Sequence, residues 1–196
     1  MPSIAFGRGR VSLMEFSIRR AVIADAEEIA RVHVEGWKNT YAGIVPDAYL
    51  ASLDVKAHAE LWKENIAAGE AIILVSESGC GIFGFAAGGK LREPIEGFDG
   101  ELGAIYLLRG YQRCGAGRRL VEAVASQLRA QGMRSMAVRV LAQNPAVEFY
   151  RKLGGQVIEE SLFEIGGASL PDLVMGWPDI SVIFDPVPQS VATAQH

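Results

Sequence analysis

Apolar residues along this chain alternate between short continuous runs, which favour strands, and a three-to-four-residue spacing, which favours helices. Strand-like runs are predicted over residues 16–19, 71–75, 82–87, 101–108, 136–141, 157–165 and 173–177. Helices are predicted over residues 25–36, 46–67, 120–131 and 144–153, with a loop or broken helical segment over 37–44. Because the run 101–108 is apolar on both faces, it is predicted to be a central strand. The order of elements predicts a mixed α/β layer around one sheet.

The sequence predicts one folded domain with a segment outside it at each end. Residues 16–180 are predicted to form one domain, which is long enough to bury a core. Residues 1–15 contain Arg8 and Arg10 but no long apolar run, so they are predicted to be a flexible extension and not a secretory signal. Residues 181–196 are predicted to be a C-terminal tail. No apolar run reaches the roughly 18 residues that a membrane span needs, so no membrane partner is expected.

Composition narrows the function classes further. The net charge is −4, which argues against a nucleic-acid binder that depends on bulk positive charge. The two cysteines, Cys80 and Cys114, indicate neither a disulfide framework nor a metal site, and a reducing cytoplasm is the expected location. His33, His58 and His196 are far apart in sequence, so no metal centre is expected.

The most distinctive turn is at residues 112–119 (Gln-Arg-Cys-Gly-Ala-Gly-Arg-Arg), between the predicted strand 101–108 and the helix 120–131. In such a unit, the unpaired N–H groups at the helix start and the helix dipole attract an anion. Four cations accompany the turn: Arg109, Arg113, Arg118 and Arg119. These features predict a site for a phosphate-bearing cofactor.

Two common nucleotide-binding patterns do not fit this turn. A Rossmann fingerprint needs Gly-x-Gly-x-x-Gly, and Leu120 stands where the third glycine would be. A Walker A loop needs a Gly-Lys-Ser/Thr end, which is missing. The remaining pattern is Gln-x-x-Gly-x-Gly, and taken alone it is equally compatible with a tight turn whose arginines face solvent.

A second motif follows the next predicted strand, where residues 144–154 read Asn-Pro-Ala-Val-Glu-Phe-Tyr-Arg-Lys-Leu-Gly. Together with residues 112–117, it resembles two motifs of the GCN5-related N-acetyltransferase (GNAT) superfamily. There, Gln/Arg-x-x-Gly-x-Gly/Ala is followed by a strand, an Asn and a helix that carries Phe-Tyr and ends in Gly. Residues 36–46 also resemble a segment of many bacterial members, and the whole resemblance spans about residues 16–177.

The resemblance implies a mixed, mostly antiparallel sheet flanked by helices, with acetyl-CoA in a wedge where strands 101–108 and 136–141 splay apart. The main-chain groups of Ile105 and Leu107 would pair with the pantetheine arm as an added strand would. The Ile105 N–H would stabilise the thioester oxygen, and the turn would hold the pyrophosphate. The other cofactor-binding residues that the resemblance implies are Gln112, Arg113, Cys114, Gly115, Ala116, Gly117, Arg118 and Asn144.

Two residues match acid–base positions of the superfamily. Glu101 has the offset from the turn at which some members place a general base, which takes a proton from the attacking amine. Tyr150 matches the general acid that protonates the departing coenzyme A thiolate. The structural alternatives are a solvated glutamate at the start of a strand and a tyrosine packed under a helix. Glu35 and Asp99 are substitute candidates for the base.

Other residues also have two interpretations. Trp37 and Tyr41 are predicted either to line the acceptor pocket or to cover the core. Asn144 is a typical helix N-cap that would also reach the pantetheine. Cys114 lies at a helix start among arginines, which suits a nucleophile in a covalent acetyl-enzyme, but its place at the pyrophosphate end favours a passive role. His33 is predicted to be packed in the core.

These observations predict an acetyl-CoA-dependent N-acetyltransferase in which a small-molecule or peptide amine attacks the thioester directly, in a ternary complex. The alternatives are a non-catalytic acyl-CoA-binding or sensor domain of the same fold, transfer to a hydroxyl, and a nucleotide-binding protein. The net acidity slightly favours a cationic acceptor. Dimers are common in the superfamily, and the sequence is compatible with a homodimer.

Overall fold

A central sheet organises the computed structural model, which describes residues 15–184. Within that range the sheet has seven strands, in the order β1-β2-β3-β4-β5-β7-β6. The strands are β1 Ser17–Arg20, β2 Ile72–Ser78, β3 Gly81–Lys90, β4 Gly100–Leu107, β5 Met136–Leu141, β6 Gln156–Ile165 and β7 Ala168–Trp177. Only β4 and β5 pair in parallel in this part of the chain. The predicted mixed, mostly antiparallel sheet with β4 at its centre is confirmed.

Helices cover both faces of the sheet. They are α1 Ala26–Thr40, α2 Asp47–Ser52, α3 Val55–Ala68, α4 Ala116–Ala130 and α5 Ala146–Lys152. On one face, here called the α4 face, α4 and α5 bury apolar side chains that include Leu120, Val124 and Tyr150. On the other, the α1 face, Ile29 of α1 and Trp62 of α3 belong to a second core cluster. No helix among the described residues is long and apolar enough to cross a membrane.

Two predictions about α1 are corrected. The helix was expected to end near Gly36, but it continues to Thr40. A Cβ at Gly36 would lie 2.7 Å from the Tyr106 ring, so this glycine allows α1 to pack closely on β4 and does not end the helix. Asp25 precedes the helix as expected, but its carboxylate binds the Val22 N–H and the Arg19 guanidinium, and does not cap α1.

The predictions for the two ends of the chain lie mostly outside the described residues, which omit 1–14 and 185–196. A short 3₁₀ helix, Ile180–Phe184, follows the last strand. Ile180 and Ile183 are buried against α4 in the core of that face. The packed structure therefore continues into the segment predicted as the tail.

The parallel strands β4 and β5 part soon after they meet. They pair only at Gly100 with Met136 and at Glu101 with Ala137. Next in β4 comes an extra residue, Gly103, because the pairing with β3 skips it. Such a bulge bends and twists the strand that carries it, while β5 stays paired with β7 along its whole length. The gap between β4 and β5, called the wedge below, is the splayed strand pair that the sequence predicted.

Candidate active site

The turn between β4 and α4 exposes several main-chain N–H groups. Arg113 has φ 61° and Gly115 has φ 89°, and α4 begins at Ala116. A left-handed conformation is ordinary for glycine but uncommon for arginine, and such residues cluster at functional sites. The Arg119 N–H bonds the Gly115 carbonyl at 3.1 Å, so the N–H groups ahead of it lack helical acceptors. The turn thus has the geometry of an anion site.

The arginines around this turn divide into two kinds. The Arg118 Nε donates to Glu122 Oε1 at 2.7 Å, and the Arg119 guanidinium lies 4.5 Å from the centre of the Phe16 ring. Both therefore already have protein partners.

The other two arginines, Arg109 and Arg113, are exposed. Their guanidinium groups make no ion pair with other residues in the range 15–184. Of the four predicted cations, these two are the ones that a bound phosphate would contact without breaking an existing interaction.

The register of β4 directs two of its residues into the wedge. The Leu108 N–H donates to the Phe83 carbonyl of β3 at 2.8 Å. Because residues of an antiparallel pair alternate in their hydrogen bonding, Ile105 and Leu107 turn their N–H and C=O groups away from β3 and toward the wedge. The Leu107 carbonyl accepts a bond from the Gln112 side chain at 3.3 Å.

The opposite wall of the wedge follows the same rule. The Ala142 N–H, just past β5, donates to the Pro171 carbonyl at 2.9 Å. The alternation then turns the main-chain groups of Leu141 and Arg139 away from β7 and toward β4. Main-chain donors and acceptors therefore face the wedge from both strands.

A group of tyrosine hydroxyls meets at the wedge. Tyr41, at the end of α1, and Tyr106, on β4, belong to the α1 face, and Tyr150 belongs to the α4 face. Burial is the largest cause that raises the pKa of Tyr150, and the nearby Tyr41 raises it further. Burial, followed by Tyr41, also raises the pKa of Tyr106. The gap between the strands thus brings together phenol groups from the two faces of the sheet.

Asn144 connects this group to α5. Its Oδ1 accepts the Ala146 N–H at 2.8 Å, as expected of a cap, and its Nδ2 donates to the Tyr41 hydroxyl at 3.1 Å. The side chain is buried. Its amide therefore orients Tyr41, a contact that the sequence did not predict.

Glu101 lies at the closed end of the wedge, where β4 still pairs with β5. Its side chain is 18% exposed, and Oε1 accepts a bond from the Arg92 Nε at 2.5 Å. From Glu101 to Ile105, the strand rises roughly 13 Å at about 3.3 Å per residue. The carboxylate is therefore partly exposed, and it lies too far along β4 to contact the Ile105 N–H directly.

The substitute carboxylates have other roles. Asp99 accepts the N–H groups of Arg134 and Ser135 and the Ser135 hydroxyl. Although burial acts to raise its pKa, these bonds hold it below the ordinary value. Glu35 is exposed and lies 3.5 Å from Arg31 on the same helix. These contacts account for the positions of Asp99 and Glu35 without a catalytic role.

His33 is packed among aromatic rings, as predicted. The Trp37 Nε1 donates to its Nε2 at 3.0 Å, and the Trp62 Nε1 lies 3.3 Å from its Nδ1. Burial, with the nearby His58, lowers the pKa of His33 to about 4. Trp37 packs at 4.7 Å from Tyr41, centroid to centroid, and Tyr41 is buried. Of the two predicted pocket residues, Trp37 is thus the more accessible.

Contacts within the protein account for Cys114 in this turn but do not require the glycine at position 117. A Cβ at Gly117 would lie 3.5 Å from Leu107 and from Phe149, which is ordinary contact, so protein packing does not require a glycine there. The Cys114 thiol donates to the Tyr111 carbonyl at 3.0 Å. That bond gives this cysteine a structural partner within the turn.

Asp172 on β7 was not singled out in the sequence. Its side chain is 5% exposed, and its Oδ2 accepts no hydrogen bond from any residue that the structure describes. Burial raises its pKa, against the opposing effect of Arg139. The signal for Asp172 in the sequence is a single carboxylate within a mostly apolar strand. Tyr106, a single hydroxyl group inside the apolar run of β4, was likewise not singled out.

Comparison with known proteins adds sequence relatives. The model of the FR47-like protein family matches residues 81–164. The chain is 41% identical over 167 residues to the uncharacterized N-acetyltransferase YuaI of Bacillus subtilis, which covers 85% of this chain and 95% of that protein. It is 30% identical over 147 residues to the L-methionine sulfoximine/L-methionine sulfone acetyltransferase of Pseudomonas aeruginosa, across 74% of this chain and 82% of that one.

Solved structures share the fold. The PaiA N-acetyltransferase of Thermoplasma acidophilum, in complex with coenzyme A, superposes with a TM-score of 0.68 at 25% identity, over 83% of this chain and 98% of that one. YncA of Salmonella typhimurium, with its cofactor acetyl-CoA, gives a TM-score of 0.66 at 21% identity, over 85% and 94% of the two chains.

Proposed function

This chain belongs to the GCN5-related N-acetyltransferase family, and we propose that it transfers the acetyl group of acetyl-CoA directly to an acceptor amine in a ternary complex. The observation that carries the proposal is the parting of β4 from β5 beside the glycine-bearing start of α4. It leaves a slot lined by main-chain donors and acceptors that ends at an anion site. Such a slot suits an extended molecule with amide groups at one end and phosphates at the other.

The main chain of the turn accounts for the phosphate end. The proposed pyrophosphate ligands are the N–H groups of residues 112–118, with Arg113 as a cation free to approach. The wedge accounts for the pantetheine arm, whose amides would pair with Ile105 and Leu107 as an added strand does. The Asn144 amide, which already donates to the Tyr41 hydroxyl, would support the wall of the wedge by holding Tyr41 in place.

The reacting end lies near the middle of β4. When bound, acetyl-CoA supplies a thioester whose C–S bond breaks as the acceptor nitrogen bonds to its carbonyl carbon. The Ile105 N–H stabilises the charge on the oxygen. Glu101 accepts one proton from the amine through water, and Tyr150 donates one to the sulfur. The raised pKa of Tyr150 keeps its hydroxyl protonated and ready to donate.

The acceptor would approach from the α1 face, past Trp37 and Tyr41. The Pseudomonas relatives are named for L-methionine sulfoximine and L-methionine sulfone, which are amino acids. A small molecule or peptide with a primary amine is therefore the proposed acceptor class.

The cofactor half of the proposal is tested by Gly117→Val. The superfamily pattern admits alanine at this position, so a larger, branched side chain is needed to intrude on a molecule seated against the start of α4. We expect the Kd for acetyl-CoA, measured by calorimetry, to rise at least about tenfold, or 1.4 kcal/mol. Gly117→Ala is the matched control, because its Cβ would make ordinary contact with Leu107 and Phe149 at 3.5 Å and should leave the Kd and Tm near wild type. Wild-type affinity in a Gly117→Val protein that keeps its Tm would refute the proposed position of the pyrophosphate.

The transfer half is tested by the release of coenzyme A thiol with L-methionine sulfone, spermidine and an alanine-terminated peptide as acceptors. Amine-dependent release supports the enzyme. Tight acetyl-CoA binding without release for any acceptor would instead support the acyl-CoA sensor.

A further inference from the structure

Asp172 is a buried carboxylate that is only weakly paired. It lies on β7 directly opposite Leu141 of β5 and Ser161 of β6. Its side chain is 5% exposed, and Oδ2 accepts no hydrogen bond from the described residues. Burial of a charge is unfavourable unless the charge is paired and hydrogen-bonded. A carboxylate with one ion pair at 3.5 Å and no hydrogen bond at Oδ2 retains the capacity to accept a donor from a ligand.

The cation nearest to Asp172 is held loosely. Arg139 Nη1 lies 3.5 Å from Asp172 Oδ2, and Arg139 Nη2 lies 3.5 Å from Glu93 Oε2. The arginine is 42% exposed and is shared between two carboxylates. Glu159 of β6 also faces Asp172 and acts to raise its pKa. The surroundings of Asp172 therefore carry more negative than positive charge.

The position of Asp172 relates it to the reacting end. Side chains directly opposite each other in antiparallel strands share a face, so Asp172 shares the α1 face with Leu141, which packs against Tyr41. Asp172 is also close enough to Tyr41 to raise the pKa of that phenol, after the larger effect of burial. Asp172 therefore lies near the Tyr41 hydroxyl, on the side of the wedge from which the acceptor is proposed to approach.

We propose that Asp172 binds the positively charged amino group of the acceptor and holds it at the mouth of the wedge. The inference rests on the proposed function and adds to it a recognition site and a substrate class, amines that are protonated in solution. An ammonium group supplies three donors, of which Oδ2 would accept one. Asp172 thus selects and positions the ammonium group, which must lose one proton to Glu101 through water before its nitrogen can attack. The second proton, which the nitrogen loses after the attack, replaces the one that Tyr150 gives to the sulfur.

The first test is Asp172→Asn, which keeps the shape and removes the charge. For the panel amine that the wild type acetylates best, we expect KM for the amine to rise about 10–100-fold, as for loss of a hydrogen bond to a charged group. The Kd for acetyl-CoA and Tm should remain near wild type. Glu160→Gln is the matched control, since Glu160 neighbours the same strand but pairs with Leu173 on the α4 face. An unchanged amine KM in Asp172→Asn would overturn the proposal.

A second variant separates recognition from a merely structural ion pair. Arg139→Gln removes the cation that competes for Asp172 but also a cause that lowers the pKa of that carboxyl, so the comparison is made at alkaline pH, where Asp172 stays ionised. There we expect KM for the amine to stay level or fall by about two- to fivefold, given a partly exposed charge at 3.5 Å. If the pair only stabilises the sheet, Arg139→Gln and Asp172→Asn should both lower Tm and should alter amine KM alike. Effects of the same sign on KM in the two variants would therefore contradict recognition by Asp172.

The pH dependence gives an independent readout. A protonated Asp172 cannot hold an ammonium group, so kcat/KM for the amine should fall on the acidic side in the wild type. In Asp172→Asn this limb should become shallower, whereas the part of it that comes from the proposed general base should remain. Glu159, Glu93, Arg139 and Tyr41 are the other charged or titratable groups that set the position of the Asp172 contribution. An identical limb in both proteins would refute the assignment. If the wild type acetylates no amine at all, the proposed function fails, and not this assignment alone.

Discussion

The proposed cofactor side of the wedge presents main-chain N–H and C=O groups of Ile105, Leu107 and the first turn of α4. The proposed acceptor side is built from side chains, those of Tyr41, Tyr106 and Asp172, of which Tyr41 and Asp172 are buried. The main-chain groups depend on strand register and on a glycine-bearing turn, so many sequences of this fold can present them. The side chains come from α1, β4 and β7 and can vary independently. One fold can therefore keep its donor and change its acceptor.

The largest effect is expected where the two sides meet, at Tyr150. Tyr150→Phe removes the proton donor and leaves the ring in place, so kcat should fall about 100-fold or more. The Kd for acetyl-CoA should stay within about twofold, because the proposed cofactor contacts are made by the main chain. Stopped-flow release of thiol and calorimetry measure the two quantities. Retention of wild-type kcat would remove Tyr150 from the mechanism.

Acid should lower the free energy of unfolding through His33, which packs against Trp37 and Tyr106 near the proposed acceptor side. Its pKa is lowered to about 4 from 6.5, so the unfolded chain binds more protons between these values. Stability should therefore rise as pH increases from 4 to 6.5, and up to about 3 kcal/mol should be lost on acidification through that window. Urea unfolding at several pH values measures this dependence, and His33→Gln should flatten it. An equally steep dependence in the variant would assign it to other groups.

Glu101 provides a test of the division between chemistry and recognition. Glu101→Gln should lower kcat about tenfold or more, because the water that takes the proton loses its acceptor. KM for the amine should change little, in contrast to Asp172→Asn. The steady-state split between kcat and KM in the two variants is the measurement. If Glu101→Gln raised KM and spared kcat, the two carboxylates would exchange roles.

The smallest effect is expected at the outer arginines. Arg113→Ala should weaken acetyl-CoA binding about three- to tenfold, as loss of one charge-assisted contact. Arg119→Ala is the control, because that guanidinium lies over Phe16 and should leave the Kd nearly unchanged. Equal losses in both variants would indicate a general electrostatic effect and no specific contact with Arg113.

The same division explains how much could be predicted from the sequence. The strand–turn–helix around residues 112–117 is local, so its motif and the order of the elements predicted the fold and the anion site. The bulge at Gly103 and the contact of Gly36 with Tyr106 depend on pairing between distant segments, and the sequence misplaced the end of α1 for that reason. Asp172 was not singled out because its burial and its weak pairing with Arg139 appear only when β5, β6 and β7 are assembled.

The measurement that tests the central claim most directly is an initial-velocity study with acetyl-CoA and the best acceptor amine varied together. Direct transfer in a ternary complex predicts double-reciprocal lines that intersect, with no exchange of label between acetyl-CoA and free coenzyme A in the absence of amine. Parallel lines with such exchange would indicate a covalent acetyl-enzyme, and would contradict the account.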